Sequence, residues 1–304
     1  MKKIAANRKY KDSLFRLVFR EKKELLSLYN AVNASYYDNP EELEVTTLDD
    51  AIYLHWKNDV SFLIKDEINL YEHQSSINPN MPLRGLIYLT GLYKAYIDKN
   101  GFDIYTGKLV KLPVPQYIIF YNGRADEAER REFKLTDSFN IPKGKTACLE
   151  CIAIQYNINY GNNKKLMQSC KKLSEYSEFV ACVRKYQHEF ESLEDAIDAA
   201  VDYCIEHNIL ADILQKHRAE VKDMLLFEYN EELHMNTIRK EGIEEGIKEG
   251  IKEGIKEGEE RFAALVKKLI EENRQDEILR AASDDVYKQQ LYKEYGIIDD
   301  SVAD

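Results

Sequence analysis

Two short apolar runs joined by a Lys-Asp pair constrain this chain more than any other feature. They lie in the stretch 58–76, NDVSFLIKDEINLYEHQSS. A tight turn at Lys65–Asp66 makes Ile64 face Glu67, and it then fixes every other pair across the hairpin. In that register Asp59 lies directly across from Glu72. Side chains alternate along a strand, so Gln74 shares the face of Glu72, and Lys57 lies across from Gln74. His73 points to the other face.

The surrounding elements follow from periodicity and breakers. Residues 10–32 carry Leu14, Leu17, Val18, Leu25 and Leu28 at helical spacing and read as an amphipathic helix. Residues 33–46 are rich in Asn, Asp, Pro and Glu and read as loop. Strands are expected over about 48–56, 58–64 and 67–74, then a helix over about 83–97. A loop or hairpin over 99–113 precedes a buried strand in PQYIIFYNG, 115–123, and CLECIAIQYNI, 148–158, adds a further strand. The order α–β–β–β–α–β predicts an α/β unit over 1–160, a mixed sheet flanked by helices, followed by an α-helical C-terminal region. Residues 161–235 read as a helical domain, 236–260 as a repeat helix and 261–304 as a short helical acidic tail.

Charge narrows the function classes. Residues 1–150 carry 22 basic and 21 acidic side chains, whereas 151–304 carry 21 and 33. The acidity therefore belongs to the C-terminal part, and any nucleic-acid contact must be local or assisted by a metal ion. No apolar run approaches the ~18 residues of a membrane span, so no membrane partner is expected. The lysines of MKKIAANRKYKDS are followed by no apolar stretch, so no secretory leader is expected. Five scattered cysteines fit reduced thiols in a cytoplasmic protein. No phosphate-binding glycine loop, dinucleotide fingerprint or zinc-protease motif is present.

Asp59 opposite Glu72 demands compensation, because like charges facing each other destabilise a sheet. A divalent cation is the natural partner: Mg²⁺ takes oxygen ligands, using one or two carboxylates and substrate phosphate. Asp59, Glu72 and Gln74 thus form a candidate phosphodiesterase site.

These residues, with KDSLFRLVF (11–19), YEHQSS (71–76), the helix after them and PQYIIFYNG, resemble the PD-(D/E)XK nuclease superfamily. More narrowly, they resemble the bacterial recombination-promoting nuclease/transposase proteins. The resemblance covers about 10–160 and implies a restriction-endonuclease-like core. It also implies metal-dependent endonucleolytic hydrolysis of DNA, linked to recombination or to defence against foreign DNA. Asp59 and Glu72 would hold Mg²⁺ or Mn²⁺, the His73 carbonyl would add a ligand, and Gln74 would orient water or phosphate. Gln74 stands where the superfamily usually has lysine, and Lys57 is the residue placed to restore that charge. The competing class is a nuclease-fold module that binds DNA or protein without cutting; RNA as substrate stays open too.

Other residues have blander readings. Asp12 and Glu24 fit helix caps or surface charges better than acids approaching the site. Trp56 and the tyrosines fit core or interface better than base stacking. Cys148 and Cys151 form a lone CxxC without a second ligand pair, and buried strand cysteines suit that run better than zinc. Glycines at 242, 246, 250, 254 and 258 alternate with isoleucines at 243, 247, 251 and 255. Five glycines make a poor isolated helix, at about 1 kcal/mol each. The tract reads as a self-association or partner segment, hence a homo-oligomer.

Overall fold

A computed structural model describes residues 14–46 and 59–297. The first strand expected, 48–56, falls wholly outside them, as do Asp12, Trp56 and Lys57. The opening helix is two pieces, α1 (Leu14–Val18) and α2 (Lys22–Asn33). The break at Phe19–Glu21 lets Leu14, Phe15 and Val18 enter the same core as Leu25 and Leu28. The loop expected over 33–46 contains a short strand, β1 (Leu43–Val45).

β2 (Val60–Ile64) and β3 (Glu67–Gln74) form the expected hairpin, with Ile64 opposite Glu67 and Val60 opposite Tyr71. Lys65 makes the turn at φ 51°, a left-handed conformation uncommon for a residue with a side chain. Helix α3 (Met81–Lys99) returns the chain, and β4 (Val114–Tyr121) pairs parallel to β3, from Glu67 opposite Val114 to Gln74 opposite Tyr121. β6 (Ile152–Asn157) continues the parallel sheet, and β5 (Arg130–Lys134) closes it antiparallel. The six-stranded mixed sheet runs β1-β2-β3-β4-β6-β5.

Side chains alternate across this sheet into two cores. Phe62, Tyr71, Ile118 and Phe120 pack with α1, α2 and the later helices. Ile68, Leu70, Tyr117 and Ile119 pack with Tyr88, Leu89 and Leu92 of α3. At Gly85 an added Cβ would lie 2.3 Å from the Tyr117 ring, so glycine is what lets α3 settle on β4.

The division of the chain differs from the one expected. Helices α4 (Lys164–Ser169), α5 (Lys171–Tyr186), α6 (Leu193–Glu206) and α7 (Ala211–Lys216) share the core of the sheet. The first compact unit therefore runs to Tyr229 rather than ending near 160, and the second is Asn230–Asp304. Helical periodicity marks which face of α5 or α6 is apolar, but not that the sheet will cover it.

Helix α8 (Arg218–Glu271) contains the whole glycine repeat. Nothing lies within 4 Å of a Cβ built at Gly242, Gly246, Gly250, Gly254 or Gly258, and the isoleucines of the repeat are 53–59% exposed. The expected tail is instead a small packed body. α9 (Asp276–Ser283) and α10 (Asp285–Glu294) join the end of α8 around Leu265, Leu269, Ala281 and Leu291. Among the described residues, no helix is long and apolar enough to cross a membrane.

Two glycine substitutions should separate these environments. Gly85→Ala should lower unfolding stability by about 1–3 kcal/mol through overpacking against Tyr117. Gly250→Ala, in open space, should raise helicity and contribute up to about 1 kcal/mol locally. Urea unfolding followed by circular dichroism checks both, and a shared direction would contradict this packing.

Candidate functional site

The expected register places the site's parts where the hairpin opens. Asp59 precedes β2 and Glu72 lies near the end of β3. Asp59 Oδ2 accepts the backbone N–H of His73 at 2.7 Å, and Glu72 Oε1 accepts the backbone N–H of Asp59 at 3.3 Å. Each carboxylate is thus tied to the opposite strand. Gln74 follows on the face of Glu72, and its carbonyl accepts the Asn122 N–H at 2.9 Å.

Glu72 is the unusual member. It is 2% exposed, beneath α3 on the face of Tyr117 and Ile119. Burial foremost, and then the Asp59 charge, raise its pKa; Arg84, the Asp59 N–H and Arg16 pull the other way. The shift is upward even though Arg84 Nη2 stands 3.2 Å from Glu72 Oε2, because a single cation at a solvent boundary does not cancel desolvation of the carboxylate.

Arg84 itself comes from the first turns of α3, where its Nη2 also meets the Tyr88 hydroxyl at 3.3 Å. Sequence reasoning missed it. The available signal was an arginine opening the helix after a strand that ends in an acid, a pattern too common to single out. Arg16 of α1 was missed likewise.

His73 points away from Glu72, as alternation requires. Its ring stacks on Phe15 at 5.3 Å, and Nε2 lies 2.9 Å from the Tyr176 hydroxyl of α5. Burial, aided by the Arg184 charge, pushes its pKa down to about 4. It is a neutral packing residue, which leaves its backbone N–H as the group serving Asp59. Glu24 sits in the first turn of α2. Its charge is felt at Cys170 and does not figure among those acting on Glu72, so it stays a helix-start acid. Cys148 is exposed and in a loop, contrary to the expected buried strand, because β6 begins only at Ile152; Cys151 is buried. All five cysteines are free thiols.

Asp59 and Glu72 are the residues able to hold a cation. Among the described residues, no group of three or more His, Cys, Asp or Glu side chains converges as a metal cage. Two carboxylates still suit a hard cation that keeps water or takes phosphate oxygens for its remaining positions. Two further polar atoms on this face, the Tyr117 hydroxyl and Gln155 Nε2, are buried without a protein partner. Gln155 belongs to the cross-strand row of Glu72 and Ile119. Such orphaned groups imply ordered water or a ligand nearby. The donor chemistry therefore fits a divalent ion with an incomplete protein shell.

No family model matches the chain, and neither a curated protein nor a solved structure matches it.

The His73 environment has a pH signature. Its native pKa, about 4, lies below its ordinary 6.5, so the unfolded chain binds more protons between these values. Stability should fall as pH drops through that window, by up to about 3 kcal/mol from this residue. Urea unfolding of wild type and His73→Phe from pH 7 to 4.5 tests it. The variant should show the shallower slope, and parallel curves would refute the assignment.

Proposed function

We propose that this chain is a divalent-metal-dependent nuclease with a PD-(D/E)XK-like core, hydrolysing phosphodiester bonds in DNA. One observation carries the reading. A hairpin ties Asp59 to Glu72 across its open end, and Glu72 is a buried carboxylate whose charge the protein only partly balances. The element order, with the strand pair, crossover helix α3 and parallel β4, supports the same core. DNA as substrate and a link to recombination or defence rest on the resemblance in the sequence. The free, scattered cysteines favour a cytoplasmic setting. Self-association would use the isoleucines of α8, which are exposed.

In this mechanism Asp59 and Glu72 would hold Mg²⁺ or Mn²⁺, and the His73 carbonyl would add a further oxygen. When bound, the ion supplies Lewis acidity toward the phosphoryl oxygen and favours deprotonation of the attacking water. The His73 N–H holds Asp59 in place through Oδ2. The Asp59 N–H likewise holds Glu72 through Oε1, while Glu72 Oε2 meets Arg84. Gln74, neutral and on the same face, orients water or phosphate through its amide. Lys57 lies outside the described residues.

A second reading, a non-cutting interaction module, has one observation in its favour: both Glu72 oxygens already accept hydrogen bonds. Cleavage of supercoiled plasmid with Mg²⁺ or Mn²⁺ decides between them, with a structured RNA in parallel. Wild type should nick DNA, whereas Asp59→Ala and Glu72→Gln should lose at least about 1,000-fold in rate. Equal cutting by all three would misplace the site. No cutting by folded wild type would favour the interaction module, and preferential RNA cleavage would change the substrate.

A further inference from the structure

Arg84 occupies a telling position between a buried acid and solvent. Glu72 is 2% exposed, whereas the Arg84 side chain is 31% exposed, so the guanidinium lies on the open side of the carboxylate. Of the two, Arg84 is the one that a phosphate in solvent can meet. The guanidinium also meets the Tyr88 hydroxyl at 3.3 Å, Met81 Sδ at 3.4 Å and the face of the Tyr88 ring. Its backbone, in contrast, is fixed: the neighbouring Gly85 is seated against Tyr117, so α3 has no slack there. A fixed backbone with a partly exposed side chain allows the guanidinium to reorient without moving the helix.

The chemistry needs such a group. Phosphodiester hydrolysis develops negative charge on phosphoryl oxygens, and Gln74 brings none of the opposite sign. A guanidinium is permanently charged and presents paired N–H donors that match phosphate. Glu72, for its part, cannot make full use of Arg84 and a divalent ion together. Two cations on one carboxylate repel each other.

We infer that Arg84 is an exchangeable counter-charge: it holds Glu72 while that carboxylate lacks a divalent ion, and turns to the substrate phosphodiester once Glu72 has taken the ion. This rests on the nuclease reading above. In the step it assists, a water oxygen forms a bond to phosphorus and the P–O3′ bond breaks. The water proton passes to solvent, and the departing O3′ takes a proton from solvent. Arg84 keeps its own protons and contributes charge and hydrogen bonds only. Metal loading thereby switches Arg84 from self-neutralisation to substrate binding.

A purely structural Arg84 predicts something different. If its work ended with neutralising Glu72, metal would replace it, and turnover at saturating metal would not depend on it. Full-length wild type, Arg84→Met, Arg84→Lys and Arg84→Ala separate the two. Mn²⁺ alone is titrated calorimetrically without DNA, and a short duplex is then cleaved at saturating Mn²⁺ for kcat and KM. Arg84→Met should bind Mn²⁺ on the order of tenfold tighter, having lost a competing charge. Its kcat should nevertheless fall about 100-fold, the cost typical of removing one transition-state donor. Arg84→Lys should fall between, and added guanidinium should restore part of the Arg84→Ala rate. Unchanged kcat at saturating Mn²⁺, or weaker Mn²⁺ binding by Arg84→Met, would overturn the assignment while leaving the nuclease intact. Wild type that neither binds Mn²⁺ nor cleaves would overturn the nuclease reading and this assignment with it. If Arg84→Met fails to fold, Arg84→Lys decides: wild-type kcat and KM in that variant would rule out a role for guanidinium geometry.

Discussion

Burying the carboxyl of Glu72 imposes conditions that three elements meet together. A desolvated carboxylate is costly unless neighbours donate hydrogen bonds or charge to it. The entry to β2 contributes the Asp59 N–H, α3 contributes Arg84, and α1 brings the Arg16 charge within range. The first two depend on separate local devices. The left-handed turn at Lys65 sets the hairpin register and so which residue meets Glu72. The Gly85 contact with Tyr117 sets how closely α3 approaches. Moving either by one position would strand the acid.

The two faces of β3 divide the labour. Glu72 and Gln74 look toward α3, while Tyr71 and His73 are locked into aromatic packing with Phe15, Phe62 and Tyr176. The packed face holds the strand rigid, which the other face needs if two acids are to stay opposed. Close packing of this kind resists small displacements, so the open face inherits its positional accuracy from residues that never touch it.

Much of this was legible in the residues. The alternation in 58–76 and the turn at Lys65–Asp66 sufficed for the β2–β3 register, because a period of two leaves no freedom once the turn is placed. The breakers at 75–82 and the Asn-Gly after Tyr121 bracketed α3 and β4 nearly to their ends. β5 was hidden, since RREFK is charged at every position except Phe133 and has no apolar alternation to read. Arg84 was hidden for another reason. Its role arises from a contact across 12 residues of chain, through a helix whose placement depends on Gly85. The shared core of α4–α7 and the sheet was likewise a matter of three-dimensional covering rather than of periodicity.

The ends of the sheet have a bearing on behaviour at high concentration. Among the described residues, one margin is β1, only three residues long, and the other is β5, where Arg130, Arg131, Glu132 and Lys134 are exposed. A short margin offers few free backbone groups, and a margin crowded with charge repels an incoming strand. The sheet is therefore a poor template for edge-to-edge stacking, even though its interior strands are rich in the apolar, aromatic residues from which cross-β fibres are built. Resistance to fibrillar aggregation is thus written into its margins rather than its core.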